Sequence, residues 1–263
     1  MPLTLDLTGR RALVSGVTSG IGAGIAHMLA RAGCDVAGNG RRSADSAGAQ
    51  AFLAAVAAEG RRGFYCACDL SLPDEPRRWV AEAARDLGGI DIVISNAGRN
   101  VFAGAADCSE SDWEECLQLD LAAHWRLVQA ARPHLAQGEQ PVVIVITSNH
   151  AFHTIPGCFP YNVAKAGLVA MVQSLAIEWG PTIRAVGIAP GFIDTPGNDS
   201  WFASFADPAA ERARTERLHP VGRLGSVAEI GALCTFLASP WAGFISGTTI
   251  LTDGGRSALM QDS

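Results

Sequence analysis

Short apolar runs alternate with longer amphipathic stretches along almost the whole chain. Strands covered on both faces read as continuous apolar runs, and helices show an apolar stripe, so this rhythm points to repeated βα units feeding a parallel sheet. Strands are predicted over Ala12–Ser15, Asp35–Asn39, Gly63–Cys68, Asp91–Ser95, Val142–Thr147, Arg184–Ala189 and Thr248–Thr252. Helices are predicted over Gly22–Ala32, Ala47–Glu59, Pro73–Leu87, Trp113–His134, Tyr161–Gly180 and Val227–Ala238. Gly33, Gly60 and Gly180 stand where helix C-caps are expected. The expected fold class is α/β, one domain over residues 1–263 with a doubly wound parallel sheet of about seven strands and helices on both faces. No repeat, low-complexity segment or linker divides it. One stretch breaks the rhythm: Gly191 to Arg223 holds Pro196, Gly197, Trp201, Phe202, Phe205, Pro208 and His219 between a strand and a helix. It is too aromatic for disorder, so a substrate-covering lid is expected in preference to a surface excursion.

The bulk numbers narrow the partners. Of 263 residues, 48% are hydrophobic and 17% charged, as a covered sheet requires. A net charge of −6 without a basic run argues against nucleic acid and anionic membranes, leaving a small molecule as the expected partner. The seven cysteines, at 34, 66, 68, 108, 116, 158 and 234, lack zinc spacing, so no metal is expected. Met1 to Thr8 shows no signal pattern, and no apolar run approaches about 18 residues. The expected compartment is the reducing cytoplasm.

The first predicted strand runs directly into Ser15-Gly16-Val17-Thr18-Ser19-Gly20-Ile21-Gly22, which opens the first helix. Glycines let backbone approach a pyrophosphate, and the helix N-terminus offers N–H donors and partial positive charge. Strand before and helix after make this a Rossmann-type dinucleotide loop. Folds that select NAD place Asp or Glu about 20 residues further on, to accept from the ribose 2′-hydroxyl. Here the chain reads Asn39-Gly40-Arg41-Arg42. Arginine forks bind phosphate oxygens, so NADP is expected, with NAD the alternative if the two arginines are merely solvated. Asp69-Leu70 can accept from an adenine amino group or equally cap a helix, and Asn96-Ala97-Gly98 gives small residues against which a flat ring can lie.

The chain has two tyrosines and one lysine, and that lysine follows Tyr161 by four residues in Tyr161-Asn162-Val163-Ala164-Lys165. On a helix both project from one face, and an ammonium there favours a phenolate whose unperturbed pKa is about 10. Ser148, thirteen residues before Tyr161, follows the fifth strand and can hydrogen-bond a reacting carbonyl oxygen.

Together these motifs resemble the short-chain dehydrogenase/reductase family over nearly the whole chain. The family's Thr-Gly-x-x-x-Gly-x-Gly is matched from Ser15 to Gly22, its Asn-Asn-Ala-Gly from Ser95 to Gly98, its serine by Ser148, and its Tyr-x-x-x-Lys by Tyr161 and Lys165. Pro190-Gly191, Ile193 and Thr195 fall where the family holds the nicotinamide, and Asp253 to Gly255 matches its terminal Asp-Gly-Gly. The resemblance implies hydride transfer between a nicotinamide cofactor and a carbonyl or secondary alcohol. Tyr161 is then the acid/base, Ser148 the holder of the substrate oxygen, and Lys165 the residue that binds the ribose and lowers the tyrosine pKa. One position departs: the relay Asn expected seven residues after Trp113 is Asp120. A homo-oligomer, tetramer or dimer, is also implied, with the helices at 113–134 and 161–180 at its interface.

Asn100, His150 and Arg256, with Arg99 near the mouth, favour a small polar substrate such as a hydroxy acid, sugar or polyol. Phe159, Phe192, Trp201 and Phe202 favour the alternative, an apolar pocket for an acyl or cyclic ketone. A catalytically silent dinucleotide sensor or scaffold is the alternative of another class, opposed by the intact Ser148, Tyr161 and Lys165.

Overall fold

The computed structural model describes residues 5–259, so the first half of the Met1–Thr8 stretch lies outside it. Strands β1 (Arg11–Val14), β2 (Asp35–Gly40), β3 (Gly63–Ala67), β4 (Ile92–Ser95), β5 (Val142–Ile146) and β6 (Arg184–Pro190) are followed by the short β7 (Ile193–Asp194) and β8 (Gly225–Ser226), then β9 (Thr249–Thr252). Seven of these form one parallel sheet in the order β3-β2-β1-β4-β5-β6-β9, while β7 and β8 pair separately. Each predicted strand is present, with ends displaced by one residue at most.

Alternation along the strands divides the core in two, because successive side chains point to opposite faces. Val14, Ile92, Ile144 and Val186 pack on one face against α1 (Gly20–Arg31), α2 (Ala47–Ala58) and α9 (Val227–Ala238). Leu13, Val93, Val143 and Ala185 pack on the other against α3 (Glu75–Leu87), α5 (Ala123–Leu135) and α6 (Tyr161–Trp179). Helices α1 and α9 meet through glycines: a Cβ on Gly24 would lie 2.6 Å from Val227 Cβ, and one on Gly231 would lie 2.7 Å from Met28 Cγ.

Two expectations are corrected. The helix predicted over Trp113–His134 begins earlier, as α4 (Glu110–Leu117), because Ser109 and Asp112 form a reciprocal capping box. It then passes through a π turn, Gln118–Ala122, in which the N–H of Ala123 bonds back to the carbonyl of Gln118. Gly180 caps the C-terminus of α6 as expected, in an extended conformation (φ −67°), since Pro181 disfavours helical backbone before it. The stretch from 191 to 223 contains regular structure, α7 (Pro196–Phe202) and α8 (Pro208–Arg217), tied to the sheet end by the β7–β8 pair. Among the described residues no helix is long and apolar enough to cross a membrane.

Candidate active site

Strand order reverses between β1 and β4, and the crevice beyond their carboxyl ends is where open α/β sheets place ligands. A single cavity of about 780 Å³ occupies that position. One end is the glycine loop, lined by Gly16, Thr18, Ser19, Gly20, Ile21 and Gly22. Gly16 (φ 75°) and Gly20 (φ 58°) turn the chain through left-handed conformations, and a Cβ on Gly22 would sit 2.1 Å from the Gly16 carbonyl oxygen. Ser19, at the N-cap of α1, makes no side-chain cap, and the first turn carries no acid. The helix therefore presents uncapped N–H groups and its positive dipole end to the crevice, which suits a pyrophosphate. Asn39 braces the loop by accepting the Gly16 N–H at 3.0 Å.

Arg41 lines the cavity at the end of β2, exposed and without a described ion-pair partner. Asp69, Leu70, Asn96, Ala97 and Gly98 line it too. One oxygen of Asp69 is occupied by the Ser71 N–H and hydroxyl, at 3.0 and 2.7 Å, which is the capping alternative. Pro190, Gly191, Ile193 and Thr195 close the far side.

The chemistry-bearing groups meet where β5, α6 and the π turn converge. Ser148, Tyr161, Lys165 and Asp120 all line the cavity. Lys165 Nζ lies 5.3 Å from the Tyr161 ring centroid and 3.2 Å from Asp120 Oδ1. The π turn aims the Asp120 carboxylate at this spot, where it also accepts the Arg99 N–H at 3.2 Å. Gly98 permits the approach, since a Cβ there would lie 2.4 Å from Asp120 Oδ1. Burial raises the Asp120 pKa, against the pull of Lys165. Burial disfavours the Lys165 ammonium, but Asp120 and Tyr161 act together against it and hold the lysine above its ordinary value. Burial also raises the Tyr161 phenol; Lys165 and the Ser148 hydroxyl pull it down, and Asp120 pushes it up. The set can hold an oxygen at Ser148 and exchange a proton with it through Tyr161.

The outer wall carries Asn100, His150, Phe192, Trp201 and Arg256, as the sequence suggested. Ser15, Arg42, Phe159 and Phe202 are not on that wall. The Ser15 hydroxyl is buried, accepting the N–H groups of Asn96 and Ala97 at 2.7 and 2.8 Å. It therefore joins the loop to the segment that follows β4 instead of facing a ligand. Arg42 is exposed, and its carbonyl accepts the Tyr65 hydroxyl at 2.7 Å. Phe159 stacks on Trp113, with centroids 5.5 Å apart, and Phe202 is buried beneath Phe192 and Trp201.

Other groups had no local signal in the sequence. Phe102 sets its edge against Tyr161 at 5.4 Å, Arg214 of α8 reaches the cavity, and buried His124 pairs with Ser95 at 2.7 Å. Each depends on contacts between residues distant in the chain. Among the described residues no cluster of three or more His, Cys, Asp or Glu is placed to hold a metal.

A family model described as enoyl-(acyl carrier protein) reductase matches residues 16–257. The chain is 32% identical to 3beta-hydroxysteroid dehydrogenase 1 of Eggerthella lenta, over 96% of this chain and 95% of that one. It is 31% identical to gluconate 5-dehydrogenase of Gluconobacter oxydans, over 97% of each. A solved short chain dehydrogenase from Burkholderia cenocepacia, in complex with NADP, superposes with a TM-score of 0.86 at 33% identity, over 95% of this chain and 99% of that one. Agreement of this extent, end to end and in three dimensions, means that the chain belongs to the short-chain dehydrogenase/reductase family and is an NAD(P)-dependent oxidoreductase acting on alcohol and carbonyl groups.

Proposed function

We propose that the protein interconverts a small polar carbonyl compound and its secondary alcohol, with NADP(H) as the preferred cofactor. The observation that carries this reading is the continuity of one cavity from the glycine loop, past Arg41, to Ser148, Tyr161 and Lys165. The bound nicotinamide supplies or takes up the hydride. Thr18, Ser19, Gly20 and Ile21 hold the pyrophosphate, Arg41 the 2′-phosphate, and Lys165 the nicotinamide ribose. Ser148 donates to the substrate oxygen, polarising the carbonyl, and the Tyr161 phenol delivers the proton in reduction or, as phenolate, removes it in oxidation. Asp120 keeps Lys165 charged and forms the inner end of the proton relay.

Arg41 supports NADP because nothing at the end of β2 offers a carboxylate to a free 2′-hydroxyl. The residues from 191 to 223 act as a lid through α7 and α8, whose Trp201 and Arg214 already border the cavity. Phe102, Ile155 and Trp201, all substantially exposed along the cavity, favour a second reading, reduction of apolar acyl or cyclic ketones. Seven free cysteines support a reducing, cytoplasmic setting. Exposed Trp125 on α5 and Ile177 on α6 support a homo-oligomer built on those helices. The test is turnover of a panel of polar and apolar alcohols and ketones, with NAD(H) and NADP(H) compared at equal concentration. Preference for NADP(H) and polar substrates is expected; preference for NAD(H), or silence with every pair, would overturn the reading.

A further inference from the structure

The outer end of the cavity carries positive charge that hydride transfer does not use. The cavity is lined by the cations Arg41, Arg99, Lys165, Arg214 and Arg256, of which Arg99 is paired with Glu115 beyond the lining, and its only acids among the described residues are Asp69 and Asp120. Asp69 stands with the cofactor loop residues, and Asp120 is spent on Lys165. Arg256 is held in place by its backbone. It follows two left-handed glycines, Gly254 (φ 63°) and Gly255 (φ 83°), and Asp253 accepts the N–H groups of Gly255 and Ser257 at 3.1 and 2.8 Å. The Asp253 carboxylate is thus committed to the turn. The Arg256 guanidinium, half-buried, has neither an ion-pair nor a hydrogen-bond partner among the described residues. Burial, and then the neighbouring charge of Arg214, lower its pKa. A guanidinium in that position remains unfavourable until an anion enters.

His150 links this corner to the reacting centre. Its ring lies 6.2 Å from that of Tyr161, and it lines the same cavity as Arg256. Burial, helped by Arg256, holds the His150 pKa below its ordinary value, so the ring is neutral at pH 7 and adds hydrogen bonding without a further charge. Arg214 is partly neutralised by Glu211, which accepts its Nε–H at 2.8 Å. The corner therefore matches a single negative charge better than a dianion, and a planar fork suits a carboxylate.

Resting on the hydride-transfer reading, we infer that the substrate is an oxo acid and its hydroxy acid, with the carboxylate bound bidentately by Arg256 and the carbonyl on Ser148 and Tyr161. Arg256 is then the residue that determines specificity. The test compares 2-, 3- and 4-oxo acids with their uncharged amides, using the whole protein with NADPH. In the wild type kcat/KM favours at least one acid over its amide by about ten- to a hundredfold, the worth of a charged hydrogen bond. In Arg256→Gln that ratio falls toward one, mainly through KM, and Arg256→Lys recovers part of it. Calorimetry gives a readout independent of turnover: propanoate and pentanoate bind the protein–NADPH complex, their amides do not, and Arg256→Gln removes the difference. Carboxylate binding that depends on Arg256, in a protein that reduces none of the panel, would sustain this inference and sink the hydride-transfer reading. Equal handling of acids and amides by the wild type would overturn the inference and leave that reading intact. Two other results would overturn it too: tighter binding of phosphate esters than of carboxylates, or an equal loss of NADPH affinity in Arg256→Gln.

Discussion

Replacing Asp120 by Asn removes one charge from the relay while leaving an acceptor for the Arg99 N–H. The perturbation reaches Tyr161 through Lys165. Lys165 Nζ lies 3.2 Å from Asp120 Oδ1 and 5.3 Å from the tyrosine ring centroid, so carboxylate and phenol ring are at most about 8.5 Å apart. At an effective dielectric of about 20, a unit charge at that distance changes an ionisation by about 2 kcal/mol, or about 1.4 pH units. Solvent in the cavity screens part of this, and a shift of about one pH unit is expected. The sign follows from the direction in which Asp120 acts, which is to raise the Tyr161 pKa. Without that charge the phenolate forms at lower pH. Reduction needs the protonated phenol, so its alkaline limb moves down; oxidation needs the phenolate, so its acid limb moves down as well. The assay is the pH dependence of kcat/KM in both directions for the two proteins, which reports groups of the free enzyme. Superimposable profiles would mean that Asp120 presents no charge to the phenol, and an upward shift would refute the assignment of its neighbours.

Tyr161→Phe is expected to lower turnover by about a hundredfold to ten-thousandfold, the range for lost general acid–base catalysis. It should leave NADPH binding and the far-ultraviolet spectrum as they are, so turnover within tenfold of wild type would remove Tyr161 from the proton transfer. Arg41→Ala should weaken NADP binding by about ten- to a hundredfold, the worth of a charged hydrogen bond, with little change for NAD; fluorescence titration with both cofactors checks this. Gly98→Ala forces a methyl against Asp120 Oδ1 and should cost about 1–3 kcal/mol of stability in a denaturant titration, along with most of the activity. An unchanged midpoint would mean that the loop shifts aside freely. Proteolysis within residues 191–223 should slow when cofactor and substrate are both present, as a closing lid requires; a rate indifferent to them would count against a lid.

Local chemistry was legible in the chain, and side-chain use was less so. Strand positions could be read because runs such as Val142-Val143-Ile144-Val145-Ile146 are apolar on both faces. The Tyr161–Lys165 pair was legible because four-residue spacing on a helix is a purely local relation. The π turn at Gln118–Ala122 was hidden, since nothing in Gln-Leu-Asp-Leu-Ala distinguishes it from ordinary helix. Ser15 sat inside a ligand motif, yet its hydroxyl turns inward to the backbone of Asn96 and Ala97 just after β4, far away along the chain. Phe159 failed as pocket wall for the same reason, because its stacking partner Trp113 comes from a distant helix. Arg214 and Phe102 reach the cavity through the path of their segments, which no residue-level pattern encodes.

The glycine-mediated seat of α9 on α1 has a consequence for how the chain acquires its structure. Met28 and Gly24 in the first helix find their covering residues, Val227 and Gly231, only some 200 positions later. During synthesis the β1–α1 hairpin emerges early with an apolar face that nothing yet shields. The loop that must close to shield it spans most of the protein, and such long-range closure slows folding. The helix whose N-terminus faces the crevice therefore keeps its α9-facing side uncovered until α9 itself has been made.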